Sequence, residues 1–155
     1  MFSVRLNKNR IFVQCFAQNL LSVQSFMVDT GALYTCCPSL SLSIRVNEND
    51  CKQYDKIVLA GLDNEPIVYY KFPVDLMCIN NIDIGKRDIW VTFDKRVTDM
   101  VLGFDILKDI SFLFDNQTSY MHFFGSRNEL SEYVKNDEGG ERPSVRSGRK
   151  NPPSN

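Results

Sequence analysis

Through residue 124 the chain is cut into apolar runs of strand length by turn residues, and that spacing leaves little room for anything but a β fold. "FSVRL" (2–6) alternates apolar and polar side chains with the two-residue period of a half-buried strand. "KNR" reads as a turn and "IFVQCFA" (11–17) as the returning strand, with "VQSFMV" (23–28) next. "PSLSLSI" (38–44) reads as a short helix or turn opening on Pro38, and 47–55 as a polar connection. "KIVLAGLDNEPIVYYKFPVDLMCI" (56–79) predicts a long hairpin turning at Asp63 and Asn64, with Gly61 before the turn and Pro66 after it. "NNIDIGKRD" carries further turns, "IWVTF" (89–93) is a strand, and "ISFLFDNQTSYMHFF" (110–124) closes the fold as a hairpin turning at Asp115 and Asn116. Short strands and frequent turns predict a mostly β, closed or sandwiched architecture with one or two short helices.

After Phe124 the composition changes. Residues 125–155 hold few apolar side chains and several Gly, Pro, Ser and charged residues, too little apolar surface to offset the entropy of ordering them. The expectation is a folded domain over 1–124 and a polar, disordered tail over 125–155. Within the tail, "NELSEYVK" (128–135) has the makings of one or two helical turns, and "RPSVRSGRK" gathers four basic residues with no acid.

At 155 residues and 43% apolar composition, the chain has enough material for one core. No apolar stretch approaches the roughly 18 residues that span a bilayer, so no membrane association is expected. The N-terminus alternates rather than forming an apolar h-region, so no signal peptide and a cytoplasmic location are the expectation. A net charge of −1 offers nucleic acid no electrostatic footprint. Five cysteines without a CxxC pair, and the single His122, match no familiar metal-ligand spacing, so no metal and no cofactor are expected. His122, inside "SYMHFF", reads as a strand histidine rather than a catalytic base.

The chemistry lies in "SFMVDTGALYTCC" (25–37). An apolar strand runs into Asp29, and the chain must then turn sharply. Gly31 permits the turn and a close approach to a ligand, the Thr30 hydroxyl can fix it, and the small Ala32 leaves room beside the carboxylate. A rigid turn presenting a half-buried carboxylate suits acid–base chemistry. Downstream, "MVLGFDIL" (100–107) sets apolar residues, a glycine, one residue and an acid before two more apolar residues. Cys36 and Cys37 read as small apolar packing residues, with a redox switch beside the site as the sharper alternative.

An apolar-DTGA segment followed by an apolar-apolar-Gly-x-Asp-Ile-Leu segment resembles the paired signature of retropepsin-like (retroviral-type) aspartic proteases. The likeness covers about residues 1–124 and implies a closed, barrel-like, single-lobe acid protease fold. It implies Asp29 as the catalytic residue, Thr30, Gly31 and Ala32 as active-site loop support, and Ala60, Gly61 and Leu62 as a flap over an extended polypeptide substrate. Thr30 would bond across a dimer, and Gly31 would offer a carbonyl or amide to the substrate. Val101, Leu102, Gly103 and Asp105 become structural or pocket-lining, with Asp105 a helix-start or network residue rather than a second catalytic acid. With one DTG per chain, the second carboxylate must come from a second copy, so the resemblance implies a homodimer. Phe104 departs from the pattern where viral enzymes often carry Arg, and the terminal hairpin is more similar to bacterial or cellular relatives. Two alternatives stay open: a non-catalytic binding or dimerisation module retaining the fold, and a protease domain of a larger polyprotein.

Overall fold

The computed structural model describes residues 1–61 and 63–138. Its strands are β1 (Phe2–Arg5), β2 (Phe12–Phe16), β3 (Gln24–Val28), β4 (Cys36–Pro38), β5 (Lys56–Ala60), β6 (Pro66–Ile79), β7 (Ile82–Thr92), β8 (Val101–Leu102), β9 (Ser111–Asp115) and β10 (Tyr120–Phe124). Three helices interrupt them, α1 (Glu48–Cys51), α2 (Phe104–Leu107) and α3 (Arg127–Glu138).

Strands β2, β3, β8, β4, β7 and β6 neighbour one another in that order, and β6 returns to β2 through Cys15 opposite Ile79 and Phe16 opposite Cys78. The sheet therefore closes on itself, which leaves those six strands fewer free edges. Its closure depends on the length of β6, whose 14 residues serve β5 at one end, β7 along the middle and β2 at the other end. A strand with three partners must bend. The register of β6 against β7 shifts between Val74 and Met77, where Leu76 takes a left-handed φ of 52°. Inward side chains such as Val13, Cys15, Phe26, Met77, Ile89 and Leu102 fill the barrel. Along β2 they alternate with exposed Phe12, Gln14 and Phe16.

A second sheet joins the two ends of the domain in the order β1, β10, β9, with Phe2 stacked on Phe123 at 4.7 Å.

Four differences from the sequence reading have local causes. Residues 82–88, expected as turns, belong to the 11-residue β7. The turn-forming residues of "NNIDIGKRD" (80–88) serve a tight corner at Asn80 (φ 50°), just before β7, and a bulge at Gly85 (φ 72°), whose amide donates to Asp83 Oδ1 at 2.8 Å. The short helix or turn expected from Pro38 is a single 3-10 turn at Ser39–Ser41, but it is preceded by an unexpected strand, β4, two of whose three residues are the buried Cys36 and Cys37. The polar connection 47–55 holds α1, started by a capping box between Asn47 and Asp50. Helices α1 and α2 are the two short helices expected of 1–124, while α3 runs for 12 residues where one or two turns were expected at 128–135. Tyr133 of α3 packs its ring 5.3 Å from His122 and 5.4 Å from Phe124. Residues 139–155 of the expected tail lie outside the described residues.

Candidate active site

The two motifs of the sequence meet at one seam of the barrel. Strand β3 pairs in parallel with β8, Met27 opposite Val101 and Val28 opposite Leu102. The pairing continues past the strand ends. The Asp29 amide donates to the Leu102 carbonyl at 3.0 Å, the Phe104 amide to Ala32 at 2.7 Å and the Asp105 amide to Leu33 at 3.1 Å. The loop after Asp29 thus lies directly against Gly103 and the start of α2.

Asp105 and Thr35 lock this seam. One Asp105 carboxylate oxygen accepts the Thr35 amide at 3.1 Å and the other accepts its hydroxyl at 2.7 Å. The same hydroxyl accepts the Gly103 amide at 2.9 Å. Thr35 is fully buried, so its polar atoms must find partners inside the protein. Gly103 sits so close to the loop that a Cβ there would lie 2.5 Å from the Tyr34 carbonyl carbon and oxygen. Sequence reading missed Thr35; nothing in "LYTCC" distinguishes a buried threonine from a turn threonine until its partner 70 residues away is in place.

Asp29 is half-buried at the head of the loop. Its Oδ1 accepts the Gly31 amide at 2.9 Å, which orients the carboxylate and leaves Oδ2 open. Since the Gly31 amide is engaged there, its carbonyl is the group left for a ligand. A Cβ on Gly31 would approach Asp29 Oδ1 to 3.3 Å, so the glycine also keeps the carboxylate clear. Thr30 is exposed, and its hydroxyl has no hydrogen-bond partner among the described residues.

Asp29 opens onto a cleft of about 310 Å³ lined by Ala32, Leu33, Tyr34, Cys36, Leu59, Tyr69, Val97, Asp99 and Val101. Val101 lines it, whereas Leu102, the alternate residue on β8, is fully buried in the barrel core. The far wall is the β5–β6 hairpin. Leu59 and Ile57 pack with Tyr69, Ile67, Tyr34 and Trp90 in a small cluster apart from the main core, while the intervening Val58 is 58% exposed. The Gly61 amide donates to Glu65 at 2.8 Å and closes the turn. Ala60 is exposed opposite Pro66, and Leu62 lies outside the described residues. Arg96 forms ion pairs with both Glu65 at the hairpin and Asp94. Sequence reading did not single out Leu33, Tyr34, Leu59, Tyr69, Val97 or Asp99, because lining a cleft is a property of the closed sheet.

Burial pushes the thiols of Cys36 and Cys37 up to about 12, with Asp105 adding to the effect at Cys36. Neither supplies a thiolate at neutral pH, which argues against the redox switch. His122 sits in β10, with Nδ1 2.7 Å from the Ser3 hydroxyl. Among the described residues no three His, Cys, Asp or Glu side chains converge as a metal site, and no helix is long and apolar enough to cross a membrane.

The closed sheet, the Asp29 loop laid against Gly103 and the cleft walled by the β5–β6 hairpin together define a retropepsin-like fold. The structure is similar to that of a retropepsin-like aspartic protease from Rickettsia conorii, with a TM-score of 0.53 and 15% identity, over 79% of this chain and 88% of that one. It is also similar to the retroviral protease-like domain of Ddi1 from Leishmania major, with a TM-score of 0.42 and 16% identity, over 76% and 90% of the two chains. No family model and no curated protein matches the sequence.

Proposed function

We propose that the protein is an aspartic endopeptidase that acts as a homodimer on extended polypeptides. The observation that carries this reading is Asp29, oriented by the Gly31 amide at the head of an apolar cleft whose opposite wall is a hairpin. In the dimer, two Asp29 carboxylates hold one water. Like charges at that distance cannot both ionise, so the pair shares a proton. One carboxylate takes a proton from the water as it attacks the peptide carbonyl carbon, and the other gives its proton to the carbonyl oxygen. As the C–N bond breaks, the carboxyl that took the water's proton gives it to the departing amine, and the other carboxylate takes back the hydroxyl proton as the carbonyl re-forms. Backbone groups of the hairpin and the Gly31 carbonyl would hold the substrate main chain in strand form.

Three features favour a partner at this face. Thr30 is exposed beside Asp29 with no hydrogen bond of its own among the described residues. Leu33 and Phe104 are 68% and 49% exposed, although both belong to the seam that carries Asp29. Phe104 stands where the resemblance leads one to expect an arginine, so apolar contact takes the place of an ion pair there.

Asp29→Asn keeps the Gly31 hydrogen bond and removes the base. Peptide cleavage followed by mass spectrometry should fall about 10³-fold or more; cleavage that persists in this variant refutes the assignment.

A further inference from the structure

We propose that Asp99 is a specificity-determining residue that makes the cleft select a lysine or arginine side chain of the bound polypeptide. The proposal rests on the protease reading for its substrate class. Apart from Asp29 and Asp99, every residue lining the cleft is apolar, aromatic or a thiol. On the protease reading Asp29 is taken up by the reacting water, which leaves Asp99 as the one charge of the lining available to read a substrate side chain. Its position is fixed, because the Met100 carbonyl next to it accepts the Met27 amide at 2.9 Å and Val101 pairs with Met27 across the seam.

Other acids near the cleft have partners. Arg96 holds Asp94 and Glu65, and Thr35 holds Asp105. The Asp99 carboxylate has no hydrogen bond or ion pair among the described residues, and Arg96, three residues before it, is already engaged. In the free protein, water solvates Asp99. When a polypeptide fills the cleft that water leaves, and an unpaired carboxylate is then unfavourable. A lysine or arginine resolves this, since its methylene stem packs on the apolar wall while its head meets the carboxylate. A neutral side chain leaves Asp99 without a partner, and an acidic one adds repulsion, so discrimination arises from penalties as much as from the new contact.

The test uses Asp29→Asn full-length protein and fluorescent ten-residue peptides, identical except for one central lysine, norleucine or glutamate. Binding is read by anisotropy. The lysine peptide should bind about tenfold tighter than the norleucine peptide and tighter still than the glutamate peptide. The gap should narrow as salt rises from about 0.05 to 0.5 M. Adding Asp99→Asn should close it, and adding Asp99→Lys should invert it in favour of glutamate. No lysine preference, a preference that survives Asp99→Asn, or equal weakening of all three peptides by that change overturns the proposal. Cleavage by the protein with Asp29 intact is scored separately. If it cleaves none of the peptides yet the lysine preference depends on Asp99, the protease reading falls and the role of Asp99 stands.

Discussion

Two residues hold the loop that carries Asp29 in place without touching its carboxylate. Gly103 is required by contact: a methyl group there meets the Tyr34 carbonyl at 2.5 Å, and that contact is backbone, which cannot swing aside. Gly103→Ala should therefore lower stability by about 2–3 kcal/mol, seen as a lower urea midpoint. Thr35 is required by its hydroxyl, which donates to Asp105 and accepts from Gly103. Thr35→Val keeps the shape and leaves both groups short of a partner, at about 1–3 kcal/mol, while Thr35→Ser should recover most of the loss. If Val and Ser behave alike in the same unfolding experiment, the hydroxyl is not what matters.

At the scale of elements, the β5–β6 hairpin is held down on one side by Leu59 and Ile57 and on the other by the Glu65–Arg96–Asp94 ion pairs. Arg96 pulls the Asp94 carboxyl from the usual 3.8 down to about 2 through their hydrogen bonds. The sign follows. A carboxylate whose folded pKa is lowered stabilises the fold above its unfolded value, and that contribution is lost as pH falls through the folded one. Arg96→Ala should speed hydrogen exchange at the Gly61 amide near pH 6, and the difference from the wild type should fade by about pH 2. A difference of equal size at both ends of that range would show that packing rather than charge holds the hairpin.

On the scale of the whole molecule, activity should depend on two copies. Mixing wild-type with Asp29→Asn protein in equal parts, with exchange of subunits, should leave about one quarter of the activity, because only wild-type pairs carry both carboxylates. Half the activity would mean that each chain works alone. Phe104→Asp places a charge on an exposed apolar position of the Asp29 seam. It should weaken dimerisation about tenfold or more by sedimentation, in step with the loss of activity.

Much of this was legible in the residue order. The turn at Asp29-Thr30-Gly31 could be read locally, from backbone freedom at glycine and hydrogen bonding at Asp and Thr, whereas its link to Gly103-Phe104-Asp105 rested on the family resemblance of the two motifs. The hairpin at 56–79 showed in its alternation and its turn residues, although the strand continues through a bulge that no local signal marks. The helical turns expected at 128–135 were read as shorter than the 12-residue α3, because its apolar face is only Leu130, Tyr133 and Val134, half-buried rather than part of the core.

By itself, the order of residues determined that the chain would be β-rich and would present a carboxylate on a tight turn, since both follow from side-chain period and backbone allowance over a few neighbours. Only the tertiary structure decided that β6 closes the sheet onto β2, that Thr35 binds Asp105 and Gly103, and that Asp99 faces the same cleft as Asp29. Those facts join residues about 60 to 70 positions apart, and such contacts are chosen by the packing of the whole barrel.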